Sequence, residues 1–181
     1  MSGADNNRRT KTMRTIRIKL YKFNELSKDA KEKAIEEWRN NNYDDAYLAW
    51  EQIQDDAKEI NLEIISLDDN GANKGQFVYS GEDTAKLILE KHGKDCDTYK
   101  TAENFLHEWE PAKEKFEREN EGWYFRDENE GEEMEEDFLQ SLLEDYRIMY
   151  NKDIEYQNSD EYITETIEAN EYEFTQDGKL N

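Results

Sequence analysis

LEIISLDDNGANKGQFVYS, residues 62–80, is the stretch that decides the fold. Leu62 to Leu67 reads as a strand, Asp68-Asp69-Asn70-Gly71 as a turn, and Gln76 to Ser80 as a second strand, so the whole is a β-hairpin with a long loop. Helical patterns lie on either side of it. Upstream, Tyr43, Tyr47, Trp50, Ile53, Ala57 and Ile60 recur at the spacing of one helix face. Downstream, Ser80 or Gly81 starts a short helix with Glu82 and Asp83 in its first turn, and it ends near His92-Gly93. A hairpin set between helices predicts an α+β fold.

Working outward, Thr15 to Tyr21 alternates, with Ile16, Ile18 and Leu20 on one face and Arg17, Lys19 and Tyr21 on the other, the pattern of a half-buried strand with a basic outer side. Ser27 is placed to cap a helix carrying Ala30, Ala34, Ile35 and Trp38 on one side. A further helix is predicted over Thr101 to Glu119, with Phe105, Leu106, Trp109 and Phe116 as its apolar side and Pro111 expected to kink or restart it. Gly122 to Gly131 is a break, residues 159–169 are helical behind a Ser159 cap, and Tyr172 to Phe174 is a final short strand closed by Asp177-Gly178. The expected architecture is a small, mostly antiparallel sheet covered by five to six helices. Residues 1–12 are read as a flexible N-terminal segment and 13–181 as a single α+β domain.

The charge is large and unevenly placed. The chain has 24 Lys+Arg against 46 Asp+Glu, a formal −22. Residues 1–40 hold 11 basic and 6 acidic side chains (+5), residues 41–120 hold 9 and 20 (−11), and residues 121–181 hold 4 and 20 (−16). Like-charge repulsion opposes compaction, so such an excess points to charge that is used, either to occupy a basic surface on another protein or to collect cations. Four Trp, eleven Tyr and seven Phe supply a core that an apolar fraction of 35 % would not suggest. The single Cys96 forms no internal disulfide, no apolar run approaches the ~20 residues of a membrane span, and no apolar signal core follows Met1. These features predict a soluble protein of the cytoplasm that engages no membrane.

Chemical motifs are sparse. His92, Cys96 and His107 are spaced H-x3-C-x10-H, too few and too widely set for a structural zinc site. Asp95 and Asp97 flank Cys96 and disfavour a thiolate nucleophile. Asp68-Asp69-Asn70-Gly71 lacks the closing Glu of a calcium loop, whose twelfth place is Tyr79. There is no P-loop, G-x-G-x-x-G, G-x-S-x-G or H-E-x-x-H. The chain is therefore read as a non-enzyme with no cofactor and no metal. Arg14, Arg17, Lys19 and Lys22 form a basic strand, but residues 41–181 sum to −27 (−11 and −16) and would repel a phosphate backbone, which argues against direct nucleic-acid binding.

The acidic run remains. Glu128, Glu130, Glu132, Glu133, Glu135, Glu136 and Asp137 put seven carboxylates in ten residues, leading into Phe138, Leu139, Leu142, Leu143, Tyr146 and Met149. The run is the N-terminal part of an amphipathic helix, where the macrodipole favours negative charge. One use for such a run is as a solvated face. The other is geometric: a helix rises ~1.5 Å per residue and duplex DNA carries one charge per ~1.7 Å, so a carboxylate-dense face approximates a phosphate row.

RTIRIKLYKFNELSKDAKEKAIEEW (14–38), HGKDCDTYKTAENFL (92–106), FLQSLLEDYRIM (138–149) and IEANEYEFTQDGKL (167–180) resemble a family of small acidic proteins encoded by phages and prophages, some labelled antitoxin. The resemblance spans nearly the whole chain and transfers no site residues. It implies a phage protein acting in the infected host's cytoplasm. By analogy of class, it points to an inhibitor of host defence of the anti-CRISPR or anti-restriction kind, a nucleic-acid mimic blocking the basic channel of a defence protein. The alternative is an antitoxin-like protein that neutralises a basic toxin by direct binding. The expected contact surface is the run Glu128, Glu130, Glu132, Glu133, Glu135, Glu136 and Asp137, together with Asp44, Asp45, Asp55 and Asp56.

Overall fold

A computed structural model describes residues 17–41, 44–121 and 123–181. In chain order they form strand β1 (Tyr21–Lys22), helices α1 (Lys28–Asn41) and α2 (Asp44–Glu59), strands β2 (Leu62–Ser66) and β3 (Lys74–Phe77), helices α3 (Gly81–Lys91), α4 (Asp97–Glu119), α5 (Asn129–Gln157) and α6 (Asp160–Ala169), and strand β4 (Glu173–Phe174). The α+β class and the antiparallel pairing agree with the reading of the sequence. The strands divide into two two-stranded ladders, β1 with β4 and β2 with β3. No helix of the described residues is long and apolar enough to cross a membrane. By contacts the chain splits into two compact units, the described parts of Met1–Asn41 with Ile163–Asn181 and of Asn42–Tyr162.

The larger unit is built on the hairpin and α5. Leu62 pairs with Phe77, Glu63 with Gln76 and Ile64 with Gly75, which turns Leu62 and Ile64 into the core and Glu63 and Ile65 outward. The loop between the strands is the expected turn: Asp68 Oδ1 accepts from the Asn70 N–H at 2.7 Å, and Gly71 takes φ +81°. Strand β3 begins earlier than the expected Gln76. Gly75 joins the ladder because the backbone carbonyl of Glu63 and the side chain of Leu143 leave no room there for a Cβ, which would lie 2.7 and 2.8 Å from them. Val78 instead donates its N–H to Asn61, and Ser80 caps α3, its Oγ accepting from the Asp83 N–H. Beneath the hairpin, Phe105 stacks on Phe138 with centroids 4.2 Å apart, and Leu142, Leu143 and Tyr146 of α5 are fully buried. Each such side chain contributes roughly 1.5–3 kcal/mol of burial.

Helix α4 starts at Asp97 and runs through Pro111 without interruption. The expected restart at Pro111 does not occur; the carbonyl that its missing N–H leaves without a donor belongs to His107, and both residues are exposed. His92, Cys96 and His107 separate. The His92 Nδ1 is 2.8 Å from the Thr98 hydroxyl, Cys96 is exposed, and among the described residues no group of three or more His, Cys, Asp or Glu is arranged to hold a metal.

The smaller unit packs Phe23, Leu26, Ala30 and Ala34 against Ile163, Ile167 and Phe174. Its ladder is short: among the described residues Tyr21 and Lys22 pair with Phe174 and Glu173, and Phe174 also bridges to Leu180. The expected strand over 15–21 therefore contracts, with Thr15 and Ile16 outside the described residues. Strand β4 offers two residues before the turn at Thr175–Gly178, so residues 17–20 have no ladder to join, and Ile18 is exposed rather than inward. Gly178, at φ +88°, lies so near the Ala30 carbonyl that a Cβ would sit 2.2 Å from it. The basic side chains here work locally. Lys22 Nζ donates to the Glu171 carbonyl at 2.7 Å, and Lys19 lies over the Tyr21 ring.

Candidate interaction surface

The acidic run begins where the chain turns into α5. A 3-10 turn at Phe125–Asp127 precedes the helix, and Gly131 lets it fold tightly on the first turn, since a Cβ there would meet the Phe125 carbonyl at 2.1 Å. From that point the helical period sorts the carboxylates. With ~100° per residue, Glu135 shares its direction with Leu139, Leu142 and Tyr146, four, seven and eleven residues on, all of them buried. Glu130, Glu133 and Asp137 point the other way, Glu136 points to the side, and all four are exposed. Glu132 is exposed and Glu128 half-buried near the boundary. Among the described residues no ion pair engages Glu130, Glu133, Glu136 or Asp137.

Glu135 points inward and has a structural task. Its carboxylate accepts from the Gly81 N–H at 2.7 Å and from the Glu82 N–H, so a side chain of α5 satisfies the first free amides of α3. Burial raises its pKa, and the two amides and nearby Arg126 offset that only in part. Glu82 next to it behaves oppositely. Burial would raise its pKa too, but hydrogen bonds from Lys113 (2.6 Å), Lys86 (2.5 Å) and the Trp109 indole (3.0 Å) outweigh that and hold it at about 2. The Lys113 ammonium is correspondingly raised by its bond to Glu82.

The aspartates of α2 do not join this surface. Asp56 accepts from the buried Tyr146 hydroxyl at 2.6 Å, and Trp50 packs on Tyr150, so α2 runs antiparallel along the later part of α5. Tyr146 is nine residues beyond Asp137 and eighteen beyond Glu128, which places Asp56 ~14–27 Å along the helix from the run. Asp55 is exposed and paired with Lys58 at 2.9 Å. The side chains of Asp44 and Asp45 lie outside the described residues; their backbone belongs to the first turn of α2, farther still from the run. Burial and Asp56 together raise the Tyr146 pKa.

Between the start of α3, the middle of α4 and the loop before α5 is a cleft of about 540 Å³. Trp109 and Phe125 form its floor and Tyr124 its rim, with Glu82 and Lys113 on one wall and Glu135 on another. Compared with protein-family models, with curated proteins and with solved structures, the chain matches none. The residues themselves therefore carry the functional argument. Sequence reasoning did not find the cleft, because Glu82, Trp109 and Glu135 come from three separate helices. The inward turn of Glu135 did have a signal, its i+4, i+7 and i+11 register with Leu139, Leu142 and Tyr146.

Proposed function

We propose that this protein is an acidic inhibitor that occupies a basic, nucleic-acid-binding surface of another protein, of the anti-CRISPR or anti-restriction kind carried by phages. The observation that carries this reading is the outer face at the start of α5. Glu130, Glu133, Glu136 and Asp137 are exposed there, four carboxylates within ~10.5 Å of helix rise, in steps of ~4.5, ~4.5 and ~1.5 Å. One strand of duplex DNA rises ~3.4 Å along its axis per phosphate. The face is borne on a 29-residue helix anchored by buried Phe138, Leu139 and Leu142, so its charges are carried on a rigid surface. A cationic cleft meets such a preorganised anionic surface at little cost in ordering it. Long-range attraction would speed the encounter, and salt would weaken it.

The test is plaque formation by a sensitive phage on hosts carrying a nuclease-based defence, with and without the protein. Wild type restores plaques, and the four-amide variant Glu130→Gln, Glu133→Gln, Glu136→Gln, Asp137→Asn does not, although it folds. Restoration by that variant, or rescue of growth from one cognate toxin with no effect on plaques, overturns the reading.

A further inference from the structure

The cleft of about 540 Å³ adjoins the turn from which the acidic face springs. Its floor is aromatic and buried: Trp109 and Phe125 are each 2 % exposed, with ring centroids 4.9 Å apart. Its rim is aromatic and open, with Tyr124 72 % exposed. An exposed tyrosine over a preformed cleft is the arrangement that anchors protein interfaces, because a rigid ring gives contact area for little lost entropy.

Charge then selects the occupant. Four carboxylates line the cleft (Glu82, Asp83, Glu117, Glu135) against two cations (Lys113, Arg126), a net −2. Glu82 is bound to Lys113, Lys86 and Trp109, and Glu135 to the amides of α3. Asp83 and Glu117 are exposed at the rim, and Asp83 accepts only from its own helix cap, Ser80. Asp83 and Glu117 also act on the Lys113 ammonium, and Arg126 lines the cleft, yet the lining keeps its net −2, so the rim offers acceptors and a π face to an incoming cation.

We propose that this cleft receives an arginine side chain of the basic partner, its guanidinium plane against Tyr124 and its N–H groups turned to Asp83 and Glu117. Arginine fits better than lysine because its planar, weakly hydrated head stacks on a ring and donates to a carboxylate together. The assignment rests on the partner being a basic protein, as proposed above, and adds to it a specific anchor.

Fluorescein-labelled nona-arginine and nona-lysine peptides, titrated with the intact protein and followed by anisotropy, test it. Wild type binds the arginine peptide about threefold to fivefold tighter than the lysine peptide. Tyr124→Ala and Glu117→Gln, both at exposed positions, remove that preference. The four-amide variant of α5 weakens both peptides together and keeps the preference. The indole N–H of Trp109 shifts on addition of N-acetyl-arginine amide and not of its lysine counterpart. Equal affinity of wild type for the two peptides, or a preference that survives Tyr124→Ala and Glu117→Gln, overturns the cleft assignment. A preserved preference with unchanged affinity in the four-amide variant leaves the cleft standing and overturns the acidic face instead.

Discussion

Glu135 and Glu133 stand two residues apart in one helix, and they have opposite jobs. Glu135 shares the buried register of Leu139 and Leu142 and is tied to the amides of α3; Glu133 faces water. The same division separates Glu82, held by two lysines and an indole, from the unpaired carboxylates of the outer face. A carboxylate's role in this molecule follows from its angle on the helix rather than from its place in a charge run. The inner set holds helices together. The outer set faces water, with Glu136 accepting from Gln140 of the same helix at 2.9 Å, and is open to a partner.

The hardest test of this contrast removes an inner carboxylate. Glu82→Ala leaves the Lys113 ammonium and the Trp109 N–H without their acceptor, and urea unfolding is expected to show a loss of about 2–3 kcal/mol. If the loss is no larger than that of Glu133→Ala, the division between the two sets fails.

Acid titration comes next. The folded pKa of Glu82 is depressed to about 2 from the usual 4.5. Its stabilisation is therefore present above about 4.5 and lost as pH falls through about 2, in total about 2 kcal/mol after allowing for its partial exposure. Glu135 has the opposite sign, because its raised pKa means that the fold gains from protonating it as pH falls. Stability against pH for Glu82→Gln should decline less than that of wild type between about 4.5 and about 2, the remaining fall belonging to carboxylates such as Glu144 and Asp177 that are also held low.

The cap that Glu135 gives α3 is worth about 1–2 kcal/mol, so Glu135→Ala lowers the thermal midpoint while Glu135→Gln, which still offers an acceptor to Gly81, costs less than half as much. Equal losses for the two would mean that packing, not the hydrogen bond, is what Glu135 supplies. The smallest effect is expected outside: the four-amide variant changes stability by within about 0.5 kcal/mol, since exposed, unpaired charges contribute little. A loss above 2 kcal/mol there would show that the outer carboxylates also hold the fold.

Much of the architecture was legible because local chemistry and tertiary context agree. Ser80 caps α3, Gly71 and Gly178 mark turns with positive φ, and the apolar spacing of Phe138 to Tyr146 set the inward face of α5. Legibility ended where partners are distant in sequence. The first strand shrank because β4 is two residues long, which nothing near Thr15 could reveal. Asp56 looked like surface charge until Tyr146, ninety residues on, was found to bond it.

By itself the sequence determined the helices, the hairpin, the excess of carboxylates and their density at the start of α5, because these depend on periodicity, caps and composition within a few residues. Only the tertiary structure decided which carboxylates remain available. Glu82, Asp56 and Glu135 are taken up by Lys113, Tyr146 and Gly81, groups 31, 90 and 54 residues away in the chain. Packing across that separation neutralises or buries charge, and that leaves the outer row of α5 and the rim of the cleft exposed.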